Sequence, residues 1–357
     1  MKLFTLGPVE MEDYILEIAG EKLPYFRTPE FSKLELEVVG NLKTLLNAGE
    51  GADVAILTSS GTGAMEASVC NVLTEKDKVL IVSGGNFGER FEEICDCYNI
   101  EYDSIKLKFP QALTKEMLNP YLGNKYTALL VNLHETATGQ LYDIEMLSNF
   151  CKEKEMYFIV DSISSFLTDP LDMTKHGVDI VMISSQKGLA LHPGLSFVVA
   201  SERIIRERIK KVHKKFLYFN LENYFHNIKR GQTPYTPAVG ILMQVHERLK
   251  RVVELGLDES MYKCEELARD FRGRCEDVGI KVPSYPKSNA CTPVYFEKGH
   301  AMDVYNNLKE KYSIYLTPNG GELSEYILRI GHIGNLTIED NKYMMEKLSA
   351  EYKKYEL

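Results

Sequence analysis

Residues 156–188 read MYFIVDSISSFLTDPLDMTKHGVDIVMISSQKG, and two short apolar runs within them each end in polar residues. Met156 to Val160 is closed by Asp161, and Ile180 to Ile183 is followed by Ser184-Ser185-Gln186-Lys187-Gly188. Such brief runs, rich in Val and Ile, predict buried strands of a parallel sheet. An acid and a lysine are therefore expected at one edge of the sheet, carried by neighbouring strands. Charged groups there are costly unless they are paired. Taken alone, Asp161 reads as a helix N-cap or turn acid as readily as a functional group. Lys187 reads either as a surface lysine opening the next turn or as a Schiff-base lysine, its pKa depressed by burial so that the free amine attacks carbonyls.

The same alternation extends outward from this stretch. Strands are expected at Val54 to Leu57, Lys78 to Val82, Ser104 to Leu107, Thr127 to Asn132, Met156 to Val160, Ile180 to Ile183 and Leu195 to Val199. Helical patterns at Gly63 to Leu73, Phe87 to Tyr98, Ile144 to Lys154 and Ser201 to Lys211 lie between or after them. This predicts an α/β fold with a mainly parallel, seven-stranded, doubly wound sheet. Ligands of such sheets gather at the carboxyl ends of the strands.

A long helix is expected from Pro237 to about Leu255, with Ile241, Leu242, Val245, Leu249, Val252 and Val253 on one face. It links residues 1–255, an N-terminal arm and large domain, to a smaller α+β domain at 256–357. That domain contains a helix over Tyr262 to Val278, strand-like runs at Thr292 to Phe296 and Tyr326 to Ile330, and a closing helix from Thr337 to Tyr355. A chain of 357 residues fits two such units.

The net charge of −9 argues against nucleic-acid and anionic-membrane partners. No apolar run approaches the ~18 residues of a membrane span, and the N-terminus does not read as an export signal, so a cytoplasmic protein is expected. Seven cysteines without paired ligand spacing predict reduced thiols and no metal; Cys95 and Cys97 form only a C-x-C. The basic stretch Arg203 to Lys215, which includes Lys214, reads as a solvated helix face. Tyr218, Phe219, Tyr224 and Phe225 read as core or subunit contact.

The other strand ends carry residues suited to one ligand. Ser59-Ser60-Gly61-Thr62-Gly63 separates a strand from a helix, and small residues let backbone N–H groups reach a phosphate at a helix N-terminus. The turn lacks the P-loop lysine and the G-x-G-x-x-G of dinucleotide sites. Phe87, after Ser83-Gly84-Gly85-Asn86, is placed to stack on a ring. His134-Glu135-Thr136-Ala137-Thr138-Gly139 offers short hydroxyl side chains. A phosphate turn, an aromatic, a hydroxyl loop, an acid and a lysine together describe a pyridoxal-phosphate pocket, in which the acid keeps the ring nitrogen protonated.

The arrangement resembles the class V aminotransferases of the fold-type I pyridoxal-phosphate superfamily. The likeness starts at Leu6-Gly7-Pro8 and Arg27-Thr28-Pro29-Glu30-Phe31. It continues through SSGTGAMEA, GGNFGER, HETATG, VDSISSF and SSQKGL, and ends at Leu328-Arg329-Ile330-Gly331. Within that class, HETATGQLYDI, VDSISSFLTDPLDM and SSQKGLALHPGLSFVVA look like the 2-aminoethylphosphonate:pyruvate and alanine:glyoxylate (serine:pyruvate) transaminases.

The resemblance implies Lys187 as the Schiff-base lysine, Asp161 as the partner of the pyridine nitrogen, and Ser60, Gly61 and Thr62 as the phosphate turn. It implies Phe87 as the stacking aromatic, Thr136 (with Thr138 as the other register) as donor to the ring oxygen, and Gln186 near the phosphate. A partner subunit's Thr236, and with it Thr233, is expected at that phosphate, which implies a homodimer with interfacial sites. Arg329 is expected to grip the substrate's acid group, and Arg27 to lie near the entrance.

The implied activity moves an amino group from a small donor (2-aminoethylphosphonate, alanine or serine) to pyruvate or glyoxylate. Phe87 stands where alanine:glyoxylate enzymes usually carry tryptophan, and the chain has no tryptophan. Two rivals remain: a cysteine desulfurase-like or other pyridoxal-phosphate lyase, opposed by Gln186 where desulfurases place histidine, and a non-catalytic cofactor-binding protein.

Overall fold

The structure, a computed structural model, describes residues 1–213 and 215–356; Lys214 and Leu357 lie outside the described residues. Seven strands form one sheet: β1 (Asp53–Leu57), β2 (Lys78–Ser83), β3 (Glu101–Lys106), β4 (Ala128–Asn132), β5 (Tyr157–Asp161), β6 (Ile180–Ser184) and β7 (Ser196–Ala200). Their spatial order is β1-β7-β6-β5-β4-β2-β3. Strands β2 to β6 pair in parallel, while β7 is antiparallel to both β6 and β1. The carboxyl ends of β1 to β6 therefore share one edge.

The central strands are apolar without interruption because both faces are covered. Leu129, Val131, Phe158, Val160, Val181 and Ile183 enter one core; Leu130, Ile159, Ile180 and Met182 enter the other. This is the period of two expected of strands. Helices α1 (Pro29–Leu45), α2 (Gly61–Val72), α3 (Asn86–Cys97), α4 (Ile144–Glu153) and α5 (Val239–Leu255) surround the sheet. Helix α1 starts with Pro29 at its first position, and the Thr28 hydroxyl accepts from the Phe31 N–H at 3.2 Å. It packs on α5. On α5, Leu242, Val245, Leu249 and Val252 are buried, whereas Val253, expected on the same face, is exposed.

The region after β7 departs from one regular helix. Glu202–Ile204 is helical, and Ile205–Ile209 follows as a π-turn. Its arginines have structural partners: Arg203 pairs with Asp179 and Arg208 with Asp77, each at 2.5 Å.

Beyond Gly256 come α6 (Leu257–Val278) and an antiparallel sheet of β8 (Cys291–Tyr295), β9 (Thr317–Pro318) and β10 (Ile327–Gly331), in the order β8-β10-β9. Helices α7 (Ala301–Tyr312) and α8 (Ile338–Glu356) cover it. Phe271, Leu308, Leu328, Ile330 and Leu348 form a separate core there. Phe4 joins that core, and Lys2–Leu3 pair in parallel with Ile314–Tyr315. The first residues of the chain thus pack on the C-terminal unit and not on the large sheet. Leu328 and Ile330 face this core, so strand alternation sends Arg329 to the opposite side.

Candidate active site

Asp161 ends β5 and pairs in register with Asn132 of β4 and Met182 of β6. One carboxylate oxygen accepts from the Ile163 N–H at 2.8 Å. Burial pushes its pKa up to about 7, against the opposing pull of that bond and of Lys187. Lys187, two residues past Ser185 on the next strand's exit, is partly buried and makes no ion pair among the described residues. Burial, reinforced by the Arg329 charge, pushes its pKa down to about 8, while Asp161 pulls the other way.

The turn Ser59-Ser60-Gly61-Thr62-Gly63 is joined to this pair by two routes. A Cβ on Gly61 would lie 2.5 Å from Ile163 Cδ1, so the glycine allows the turn to close on the residue that anchors Asp161. On the other side, Ser59 Oγ lies 2.8 Å from Ser196 Oγ, Ser196 pairs with Ser184, and the Ser184 hydroxyl donates to Gln186 Oε1. Ser60 caps α2 without a side-chain hydrogen bond; the Gly63 N–H goes to the Ser60 carbonyl at 3.0 Å, and the helix start keeps the partial positive charge of the N–H groups before it. Thr62 is half-buried beside them.

Phe87 lies in the first turn of α3, half-buried. The N–H of the next residue, Gly88, donates to Glu135 Oε2 at 3.3 Å. Glu135 also accepts from Asn132 Nδ2 at 2.8 Å and the Ala137 N–H at 3.0 Å. Wholly buried, its pKa is raised. It ties the aromatic's helix to the hydroxyl loop. The Thr136 hydroxyl faces Ser164 Oγ at 2.9 Å, on the loop after Asp161, whereas Thr138 turns its carbonyl to the Tyr285 hydroxyl. His134 is buried, its Nδ1 against the Ser164 carbonyl at 3.3 Å, and burial pushes its pKa down to about 3, so it is a neutral wall.

Arg329 is 8% exposed and has no carboxylate on its guanidinium among the described residues. Its Nε, Nη1 and Nη2 donate to the carbonyls of Thr317, Thr136 and Pro318 at 3.2, 3.1 and 2.7 Å. Of the five N–H groups an arginine carries, one on each terminal nitrogen remains. Each can meet one further acceptor. Asn319 Nδ2 donates to the Ala137 carbonyl at 2.6 Å and closes the same corner.

The loop at 232–238 behaves differently. Arg27 Nη1 donates to Gln232 Oε1 at 2.6 Å and to the Thr233 carbonyl at 2.9 Å, which places Arg27 on this loop and not among the contacts of Lys187 or Arg329. The Thr233 hydroxyl is used within the loop, on the Tyr235 carbonyl at 2.7 Å. Thr236 is exposed. The Ala238 N–H donates to Thr58 Oγ1 at 3.1 Å, so the loop stands next to the turn that begins at Ser59.

Glu135 stands within the HETATG stretch, where the neighbouring hydroxyl residues draw the functional reading. The available signal was the one used for Asp161, an acid just after an apolar strand. Ser164 and Asn319 carried no local signal.

Residues 30–330 match the model of the Aminotransferase class-V family. An uncharacterized aminotransferase of Helicobacter pylori (strain J99) is 30% identical over 353 residues, 98% of this chain and 93% of the relative. The L-aspartate–glyoxylate aminotransferase of Paracoccus denitrificans is 25% identical over 346 residues, 94% of this chain and 87% of the relative. The structure of an aspartate aminotransferase from Thermus thermophilus superposes with a TM-score of 0.91 at 25% identity, covering 99% of this chain and all of the other. With the family matched over most of its length, the chain belongs to the class-V aminotransferases, enzymes dependent on pyridoxal phosphate.

Proposed function

We propose that the enzyme transfers an amino group from a small donor bearing an acid group, with alanine, serine and 2-aminoethylphosphonate as candidates, to glyoxylate or pyruvate. The observation that carries this reading is Arg329: a buried guanidinium with no carboxylate partner among the described residues and two N–H groups still to place. The glyoxylate named for the Paracoccus relative favours glyoxylate as acceptor.

The residues fit the cofactor. Asp161 is a buried carboxyl with one hydrogen bond, and a protonated ring nitrogen set against it would supply the missing positive charge. The uncapped start of α2 suits a phosphate. When bound, pyridoxal phosphate supplies the carbonyl that takes up the donor's amine and the ring that receives the electrons released at the substrate Cα.

The protein's share is positioning and proton transfer. Arg329 orients the acid group of donor and acceptor in turn, so both present the same carbon to Lys187. With its pKa near 8, a useful fraction of the Lys187 amine is unprotonated at neutral pH and takes a proton from the substrate Cα. With the cofactor bound, Asp161 would hold the ring nitrogen's proton, Thr136, with Ser164 behind it, would donate toward the ring oxygen, and Phe87 would cover a ring face.

We further propose a cytoplasmic homodimer. All seven cysteines are free, as expected of a reducing compartment. Exposed Thr236 and the exposed apolar residues Leu23, Tyr25 and Leu217 suit a subunit contact that brings Thr236 to the phosphate. A desulfurase needs an accessible nucleophilic cysteine. Of the seven, only Cys97 is exposed, and it ends α3, far along the helix from Phe87.

The test is a half-reaction screen of the holoenzyme. Loss of the visible cofactor band with alanine or serine, followed by its return with glyoxylate, supports an amino-acid donor. Response to 2-aminoethylphosphonate alone selects the phosphonate. No response to any of the three, with alanine and sulfide formed from cysteine, would replace this reading by the desulfurase.

A further inference from the structure

The N-terminal segment passes directly over the lysine. A Cβ built on Gly7 would lie 2.8 Å from Lys187 Cδ, 3.1 Å from its Cε and 2.8 Å from the Gln186 carbonyl. Distances under about 3 Å are ones real Cβ atoms do not adopt, so any side chain here must displace the lysine stem or the backbone beside it. Gly7 also has φ +138°, in the half of backbone space that favours glycine. Two independent constraints thus demand glycine at a position whose added Cβ would meet the lysine's methylenes.

The segment is held in place from the other unit. The Leu6 N–H donates to Thr317 Oγ1 at 2.9 Å, the Phe4 N–H to the Tyr315 carbonyl at 2.9 Å, and the Gly331 N–H to the Phe4 carbonyl at 2.8 Å. Thr317 and Gly331 flank Arg329 in space: the Thr317 carbonyl accepts from Arg329 Nε, and Gly331 follows it on β10. The residues that hold the substrate's acid group and those that hold the roof over Lys187 are therefore the same short strands.

We propose that Gly7 is a positioning residue for Lys187: the Leu6-Gly7-Pro8 segment, fixed to the strands that carry Arg329, forms the roof against which the lysine stem lies and sets the path of its amine. This rests on the reading of Lys187 as the proton-transferring amine. The lysine has four flexible carbons, and a wall on its Cδ and Cε narrows the positions its amine can take. Pre-set geometry of this kind is worth much in rate, since a shift of about 1 Å can cost about 100-fold.

The experiment is a double-mutant cycle on the holoenzyme with Gly7→Ala and Lys187→Ala, the latter assayed with added ethylamine as a diffusible base. Expected for Gly7→Ala alone is a fall of about 10- to 100-fold in kcat, with KM for the amino donor near wild type. The pH midpoint of the visible absorbance of the lysine-bound cofactor should also shift. In the Lys187→Ala background the Cδ and Cε are gone, so Gly7→Ala should cause a smaller loss in the amine-rescued rate than it does with Lys187 present, the remainder coming from the Gln186 carbonyl and the backbone angle.

Equal loss in both backgrounds would show general damage and overturn the proposal, as would wild-type kcat and an unmoved midpoint. Full turnover of Lys187→Ala without added amine would instead overturn the reading of Lys187 itself. Should Gly7→Ala not fold, Thr317→Val removes the anchor of Leu6 and leaves Gly7 and the Thr317 carbonyl in place. It should lower kcat with the same shifted midpoint, and Thr317→Ser should restore both; a Thr317→Val enzyme with normal kcat and midpoint would count against the roof.

Discussion

Arg329→Lys separates the charge of this residue from its shape. The guanidinium spends one N–H each on the carbonyls of Thr317, Thr136 and Pro318, which leaves one N–H on each terminal nitrogen for an acid group. Lysine keeps the positive charge but has no planar fork. It therefore forfeits one charge-assisted hydrogen bond to substrate, roughly 1.5–3 kcal/mol. At about 1.4 kcal/mol per tenfold, kcat/KM should fall about 10- to 150-fold for both the amino donor and the oxo acid. The three carbonyls also lose donors, so stability should drop by about 1–3 kcal/mol. The assay is steady-state kinetics with each substrate varied, alongside cofactor affinity from the visible absorbance, which should be nearly unchanged. A variant whose kcat/KM stays within about twofold for both substrates would refute the placement of the acid group on Arg329.

Glu35, fully buried on α1 with neither carboxylate oxygen hydrogen-bonded, is pushed up to about 8 by burial, only partly opposed by Arg27. A raised acid stabilises the fold below its ordinary value of 4.5 and loses that contribution as pH rises through about 8. Glu35→Gln should therefore flatten the decline in stability across that window, about 1.4 kcal/mol for each unit of displacement, as read by denaturant melts of the apoprotein at several pH values; an unchanged profile would contradict it. Gly188→Ala would place a Cβ 1.8 Å from the Phe166 carbonyl, a backbone overlap that should cost more than about 3 kcal/mol or prevent soluble expression; normal melting would disprove the packing of the Lys187 turn. Glu135→Gln replaces a carboxyl that accepts from two backbone N–H groups and Asn132 by an amide with only one acceptor oxygen. Cofactor affinity and kcat should fall together, and normal values for both would remove Glu135 from the set that shapes the site.

The strands and their polar ends were legible because burial on two faces writes itself into local sequence. MYFIV and IVMI allow few alternatives to a buried strand, and Asp161 and Lys187 are conspicuous after them. What was not legible depends on partners distant in sequence. Nothing near Lys2–Leu3 indicates pairing with Ile314–Tyr315, and nothing near Gly7 points to Lys187, because the partners stand far apart in the sequence. Arg329 was marked only by resemblance, since an arginine between Leu328 and Ile330 reads locally as the solvent side of a half-buried strand. Its burial follows from the loop after β4, whose Thr136 carbonyl lies against the guanidinium on that side. Arg27 shows the reverse limit: the motif around it was visible, but its hydrogen bonds go to Gln232 and Thr233. Val253 fell outside the buried stripe of α5 because it stands one position past Val252, near the helix end.

The most direct test of the whole account is the turnover and visible spectrum of Lys187→Ala loaded with pyridoxal phosphate. Loss of the lysine-bound band together with a fall of at least about 10²–10⁴ in rate, the range for removing a positioned acid–base group, and partial recovery with added ethylamine, is what the account predicts. A Lys187→Ala enzyme that keeps the band and turns over at the wild-type rate would contradict it.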